Sequence, residues 1–138
     1  MKNPVIQRPD HFTIVTDDLE KTESFYTDVL GFDVGPRPDF PVPGLWLYAD
    51  EKPILHVIGV KTMPEPRRGA LDHMAYRGLG LNQALKKLKA AEVEYRIIKT
   101  PDPWLQWQVF FEDPNGVEVE LDFDGTEPLD PVLNPNAR

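Results

Sequence analysis

Apolar and polar positions along this chain run through the same order twice. Residues 11–16 are mostly apolar or β-branched, as a buried strand requires. Asp17 predicts a helix start: its carboxylate suits a first turn, and Glu20 stands three residues on, the spacing of a capping box. Leu19, Phe25, Tyr26, Val29 and Leu30 form one apolar stripe at helical spacing, and Gly31 supplies the stop. A strand over 32–34 and a proline-rich loop over 35–44 follow. Residues 45–49 and 53–60 then read as a hairpin turning on Asp50, Glu51 and Lys52.

The second half repeats that order. A strand over 71–77 precedes a helix marked by Leu81, Ala84, Leu85 and Leu88 at i, i+3, i+4, i+7 spacing. A strand over 94–99 leads to a second proline loop, Thr100-Pro101-Asp102-Pro103. Strands over 106–112 and 117–123 close a hairpin across Asp113-Pro114-Asn115-Gly116, a strong turn sequence. Each half is therefore βαβββ, and the predicted fold class is α+β. Each module has a helix on one sheet face and leaves the other open. Two modules edge to edge would curl into a half-open barrel lined by the open faces. Residues 1–124 read as a single domain, with modules over about 10–60 and 71–124 joined by a polar linker over 61–70. The proline-bearing tail, 125–138, reads as extended or disordered, or as an arm for a neighbouring subunit.

Chemistry enters through four residues. The chain has three histidines and no cysteine. His11 sits in Asp-His-Phe and His73 in Asp-His-Met, each opening the first strand of its module. His56 and Glu120 fall in the fourth strands, 45 and 47 positions further on. Alternation of side chains along a strand lets each aim one ligand into a common cavity. Three imidazoles and a carboxylate suit one divalent first-row metal, Zn, Fe, Mn, Ni or Co. Glu118 shares a face with Glu120 and competes for the acidic place. His56 is either a fourth ligand or a neutral base beside the metal. Trp46, Trp104 and Trp107 are candidates to line an apolar substrate pocket. Arg37 and Arg96, near the ends of the second strands, are candidates to bind a substrate carboxylate or phosphonate.

Composition narrows the partners. At 138 residues, 41% hydrophobic and 28% charged, the chain has the balance of a soluble globular protein. A net charge of -8 leaves nothing to neutralise phosphates, so a nucleic-acid partner is not expected. No stretch approaches the about 18 apolar residues of a membrane span. The amino-terminal residues lack the apolar core of a signal peptide, which makes the cytoplasm the expected location.

Two stretches carry a family likeness. His11 to Phe32 resembles the opening of vicinal-oxygen-chelate proteins, and Phe110 to Leu121, Phe-Phe-Glu-Asp-Pro-Asn-Gly-Val-Glu-Val-Glu-Leu, resembles their closing hairpin. These are the glyoxalase I, fosfomycin-resistance, bleomycin-resistance and extradiol-dioxygenase proteins. The resemblance implies paired βαβββ modules, a homodimer, and a metal on His11, His73 and Glu120 rather than Glu118. The fourth-strand ligand of the first module, a glutamate in glyoxalase I, falls on His56 here. In extradiol enzymes an additional histidine near the metal serves as base, a role His56 can take. The expected function is a metal-dependent enzyme, with Glu120 and His56 catalytic, acting on a small substrate chelated through adjacent oxygens. Isomerase, lyase and dioxygenase chemistry all remain open. The alternative is a bleomycin-resistance-like protein that binds or sequesters a small molecule without turnover.

Overall fold

A computed structural model describes residues 5–136. Residues 1–4, part of the amino-terminal stretch considered above, and 137–138, the end of the tail, lie outside the described residues. The first module contains β1 (Phe12–Thr16), α1 (Leu19–Ser24), a π-helical continuation (Phe25–Val29), β2 (Asp33–Gly35), β3 (Gly44–Ala49) and β4 (Lys52–Gly59). The second contains β5 (Met74–Arg77), α2 (Leu81–Ala90), β6 (Tyr95–Lys99), β7 (Trp107–Glu112) and β8 (Glu118–Phe123). The fold is α+β. Each module forms a four-stranded mixed sheet, in the orders β1-β4-β3-β2 and β5-β8-β7-β6. In both, the first and fourth strands are parallel and the remaining pairs antiparallel. The two sheets do not close into a barrel.

Local chemistry accounts for the element ends, with two shifts from the sequence pattern. The cap of α1 is Asp18, whose Oδ1 accepts from Lys21 N at 3.0 Å. Thr16 Oγ1 accepts from Asp18 N and so takes the bend that Asp17 was expected to make. Lys21 then stands where a capping box needs Glu, so Glu20 makes no box. The first hairpin turns on two residues, Asp50 and Glu51, both at positive φ (51° and 60°). That is the turn sense that matches strand twist, and Lys52 is released to begin β4. The Asp113 carboxylate holds the second hairpin by accepting from Asn115 N and Val117 N.

One apolar cluster serves both modules. Ile14, Leu47, Leu55 and Val57 on the inner face of the first sheet belong to it with Val109, Phe111, Val119 and Phe123 of the second. Leu81, Leu85 and Leu88 of α2 are fully buried in it. The π-helical turn places Phe25 and Tyr26 side by side in the core, where Phe25 meets Phe111 across the module boundary at 6.2 Å between ring centroids. Buried polar contacts fasten the same boundary. Tyr26 donates to Asp113 Oδ2 at 2.7 Å, Thr16 to Asn115 Oδ1 at 2.7 Å, and Asn115 Nδ2 to Thr22 Oγ1 at 3.0 Å. Both inner faces thus serve one interior, which leaves the opposite face of each sheet outside it.

The segment after β8 packs back on its own module. Glu127 accepts from Gly80 N and Leu81 N at the start of α2. Its carbonyl takes the Trp107 indole N–H, and Tyr95 donates to the Leu133 carbonyl. Leu133 is buried. The proline content pointed to an extended or disordered tail; the described part instead docks through Glu127, Leu129 and Leu133 and forms a 3-10 turn over Pro131–Leu133. No described helix is long and apolar enough to cross a membrane.

Candidate metal centre

Pairing register fixes which side chains share the outer faces. Thr13 lies beside His56 and His56 beside Trp46, so β1, β4 and β3 put these on one face, with His11 two residues before Thr13. In the second module Ala75 lies beside Glu120 and Glu120 beside Phe110; His73, Glu118, Asp122, Gln108 and Arg96 share that face. All four ligand candidates therefore stand on outer faces.

Within one chain they form two groups rather than one. In the first group the His11 and His56 rings stack at 3.7 Å and 15°, and His56 stacks on Trp46 at 3.9 Å and 10°. His56 Nε2 lies 3.0 Å from the Pro53 carbonyl, which only accepts, so this nitrogen carries the proton and Nδ1 is left as acceptor. Burial, followed by the nearby His11 imidazole, lowers the proton affinity of His56. In the second group His73 Nε2 lies 3.1 Å from Glu120 Oε1, and Gln108 Nε2 donates to Glu120 Oε2 at 3.1 Å. Among the described residues, the set of three His, Asp or Glu ligand atoms within 4.8 Å of one another is Asp72, His73 and Glu118. A cavity of about 290 Å³ brings His73 and Glu118 beside Phe12–Val15 of β1, whereas His11 and His56 line a different one.

The two groups share a device that sequence reasoning missed. His11 Nδ1 lies 2.6 Å from Asp10 and His73 Nδ1 lies 2.8 Å from Asp72. In each module the residue before the histidine holds Nδ1, and in the second module Nε2 faces Glu120. This is the usual support of a metal-binding imidazole. The hydrogen bond to Asp72 raises the proton affinity of His73 against the effect of burial, and Glu120 adds to it. The repeated Asp-His dipeptide was visible in the chain, but its role depends on ring orientation.

Glu120 carries the most perturbed carboxyl of the group. Burial, then the neighbouring Asp122, push it up to about 7, with His73 opposing. Among the described residues Asp122 Oδ1 is buried and takes no hydrogen bond from a fixed donor, so the proton it would share is that of Glu120 itself. A carboxyl oxygen so placed beside a second carboxyl is satisfied by a shared proton or by a cation. Two imidazole Nε2 atoms, one carboxylate and a buried oxygen without a fixed donor fit a divalent metal of the borderline class. Glu118, the competing acid, is taken by Arg68 at 2.7 Å and Arg96 at 3.1 Å.

The substrate-binding candidates separate. Trp46 and Arg37 line a cavity of about 540 Å³ with His11, His56, Phe40 and Val42. Arg96 lies over the Phe110 ring at 4.9 Å, and Phe110 meets His73 edge to face. Trp107 pairs with Phe123 and points to the inner side, where it holds the tail. Trp104 is 69% exposed on the proline loop. Neither of these two tryptophans joins the His11 cavity. Gln108 and Phe110 do stand beside the ligands, and alternation from Glu120 through the hairpin register would have found them.

This architecture and site have relatives. The model of the Glyoxalase/Bleomycin resistance protein/Dioxygenase superfamily matches residues 8–121. The chain belongs to that superfamily. A protein named Glyoxylase I 4 from Arabidopsis thaliana is 26% identical over 141 residues, covering 94% of this chain and 78% of the relative. Among solved structures, a glyoxalase family protein from Bacillus anthracis aligns with a TM-score of 0.72 at 20% identity, covering 90% of this chain and 99% of the other. The fosfomycin resistance protein FosX from Listeria monocytogenes aligns with a TM-score of 0.66 at 18% identity, covering 85% and 91%. At those identities the solved structures speak for the fold of this superfamily member.

Proposed function

We propose that this chain is a metal-dependent enzyme acting on a small substrate chelated through two adjacent oxygens, with the metal held by His11, His73 and Glu120. The observation that carries the reading is the repeated aspartate-oriented imidazole, once beside a buried glutamate and a carboxyl oxygen without a fixed donor. When bound, the metal supplies Lewis-acid stabilisation of negative charge developing on substrate oxygens. Asp10 and Asp72 hold the ligand rings. Glu120 must give up its proton to ligate, which favours binding above about pH 7.

His56 stands outside this ligand set. An ion on a histidine nitrogen lies in the plane of that ring. Two rings stacked face to face at 3.7 Å cannot both direct a lone pair at one ion. His56 instead fixes His11 by stacking, and its neutral Nδ1 is the proton acceptor of the His11 cavity.

Because one chain presents the ligands as two groups on outer faces, we infer that the site is completed in a homodimer. His11 of one copy then meets His73 and Glu120 of the other. Such an isologous pairing produces two equivalent sites from one surface.

Metal analysis of chain purified without chelator, then Mn, Fe, Ni and Zn titration followed by melting temperature, tests the reading. Bound metal and a higher melting temperature, both lost in His73→Ala, are expected. A metal-free chain that none of the four ions stabilises contradicts it.

A further inference from the structure

The cavity beside His11 contains a group that metal binding does not use, the guanidinium of Arg37. Its Nη2 donates to the Val42 carbonyl at 3.0 Å, and its Cζ lies 5.1 Å over the Phe40 ring. Among the described residues Arg37 makes no ion pair, whereas Arg68 and Arg96 share Glu118 and Arg67 pairs with Glu65. The side chain is half-buried. The hydrogen bond to Val42 and the stack on Phe40 hold it in place without neutralising it. A fixed guanidinium with donors to spare suits a carboxylate, which it can take through two parallel hydrogen bonds.

Phe40, Pro41, Val42, Trp46 and Ile58 give the cavity its apolar lining beside Arg37, and Asp10, Thr13 and His56 join His11 at its polar end. Phe40 and Trp46 are 6.4 Å apart between centroids. The volume of about 540 Å³ suits a small molecule rather than a polymer. Planar rings hold planar ligands at low entropic cost.

On the metal reading above, we propose that the substrate is an aromatic carboxylate: a planar ring whose adjacent oxygens face the His11 end while its acid group is held by Arg37. The cation selects the acid and the aromatic walls select the ring. Arg96, already neutralised by Glu118, does not duplicate the role.

Calorimetric titration of the Mn-loaded chain with 3,4-dihydroxybenzoate and with catechol tests this, because the two differ only in a carboxylate that is remote from the adjacent hydroxyls. Dihydroxybenzoate should bind about tenfold tighter or better, as one charge-assisted hydrogen-bond pair predicts. Arg37→Gln should abolish that preference, so that the variant binds dihydroxybenzoate no more tightly than it binds catechol; Arg37→Lys should restore part of it. A cooperative thermal melt of each variant shows that it is folded. Equal affinities in the wild type, or a preference that survives in Arg37→Gln, overturn the proposal and leave the metal site standing. Should no metal load, the metal reading fails, and benzoate titration of the metal-free chain decides the acid subsite. Benzoate binding lost in Arg37→Gln upholds it. No binding, or binding indifferent to that change, overturns it.

Discussion

Asp10 and Asp72 are exposed residues with a large expected effect. Each accepts the Nδ1–H of its neighbouring histidine and so determines that Nε2, which in His73 faces Glu120, is the nitrogen not taken by the aspartate. Replacing Asp72 by Asn keeps the size and removes the charge. Metal affinity should fall about 10–100-fold, the usual loss for such a supporting carboxylate, in a competition titration with a chelator. Glu120 governs the pH response. Its folded-state value of about 7 lies above the ordinary 4.5 of a glutamate. The metal-free chain is therefore stabilised by this group below about pH 4.5 and loses that contribution as pH rises through 7. Glu120→Gln should flatten that part of the stability-against-pH curve, read by denaturant unfolding. The four ligand candidates were legible because they recur at matched positions. The stacking of His56 on His11 was not, since it depends on side-chain rotation.

At the scale of elements, the apolar pattern identified the strands and the two main helical segments, but neither the π-helical continuation of α1 nor the 3-10 turn over Pro131–Leu133. Strand edges moved by one to three residues where turns and caps, not hydrophobicity, set them. Asp50 and Glu51 illustrate this, since Asp accepts positive φ readily but Glu rarely does. The junction between modules was not legible at all. It depends on Asp113 and Asn115, read from sequence only as turn formers, which also reach Tyr26, Thr16 and Thr22 in the other module. Tyr26→Phe leaves the buried Asp113 Oδ2 without its donor and should cost about 1–3 kcal/mol in denaturant unfolding. Glu127→Ala removes the acceptor at the start of α2 and should cost about 1 kcal/mol by the same measurement, as loss of a helix cap does.

For the whole molecule, the duplicated βαβββ order was plain from the chain, whereas the way the copies face was not. Hydrophobic patterning says which face of each sheet is buried, not against what. Here the buried faces share one interior through Phe25, Phe111, Tyr26 and the helices. On the proposed reading, the outer faces with His11, His73 and Glu120 are left for a second copy. That placement makes the central claim testable by complementation. His11→Ala and Glu120→Ala chains should each lack site metal alone. Co-expressed, they form mixed dimers in which one of the two sites is whole. With random pairing of a two-fold dimer, metal content per chain should recover to about a quarter of the wild-type level. Recovery to that level is the predicted result; mixed chains that stay as metal-free as either parent, beside a wild type that loads metal, would contradict it.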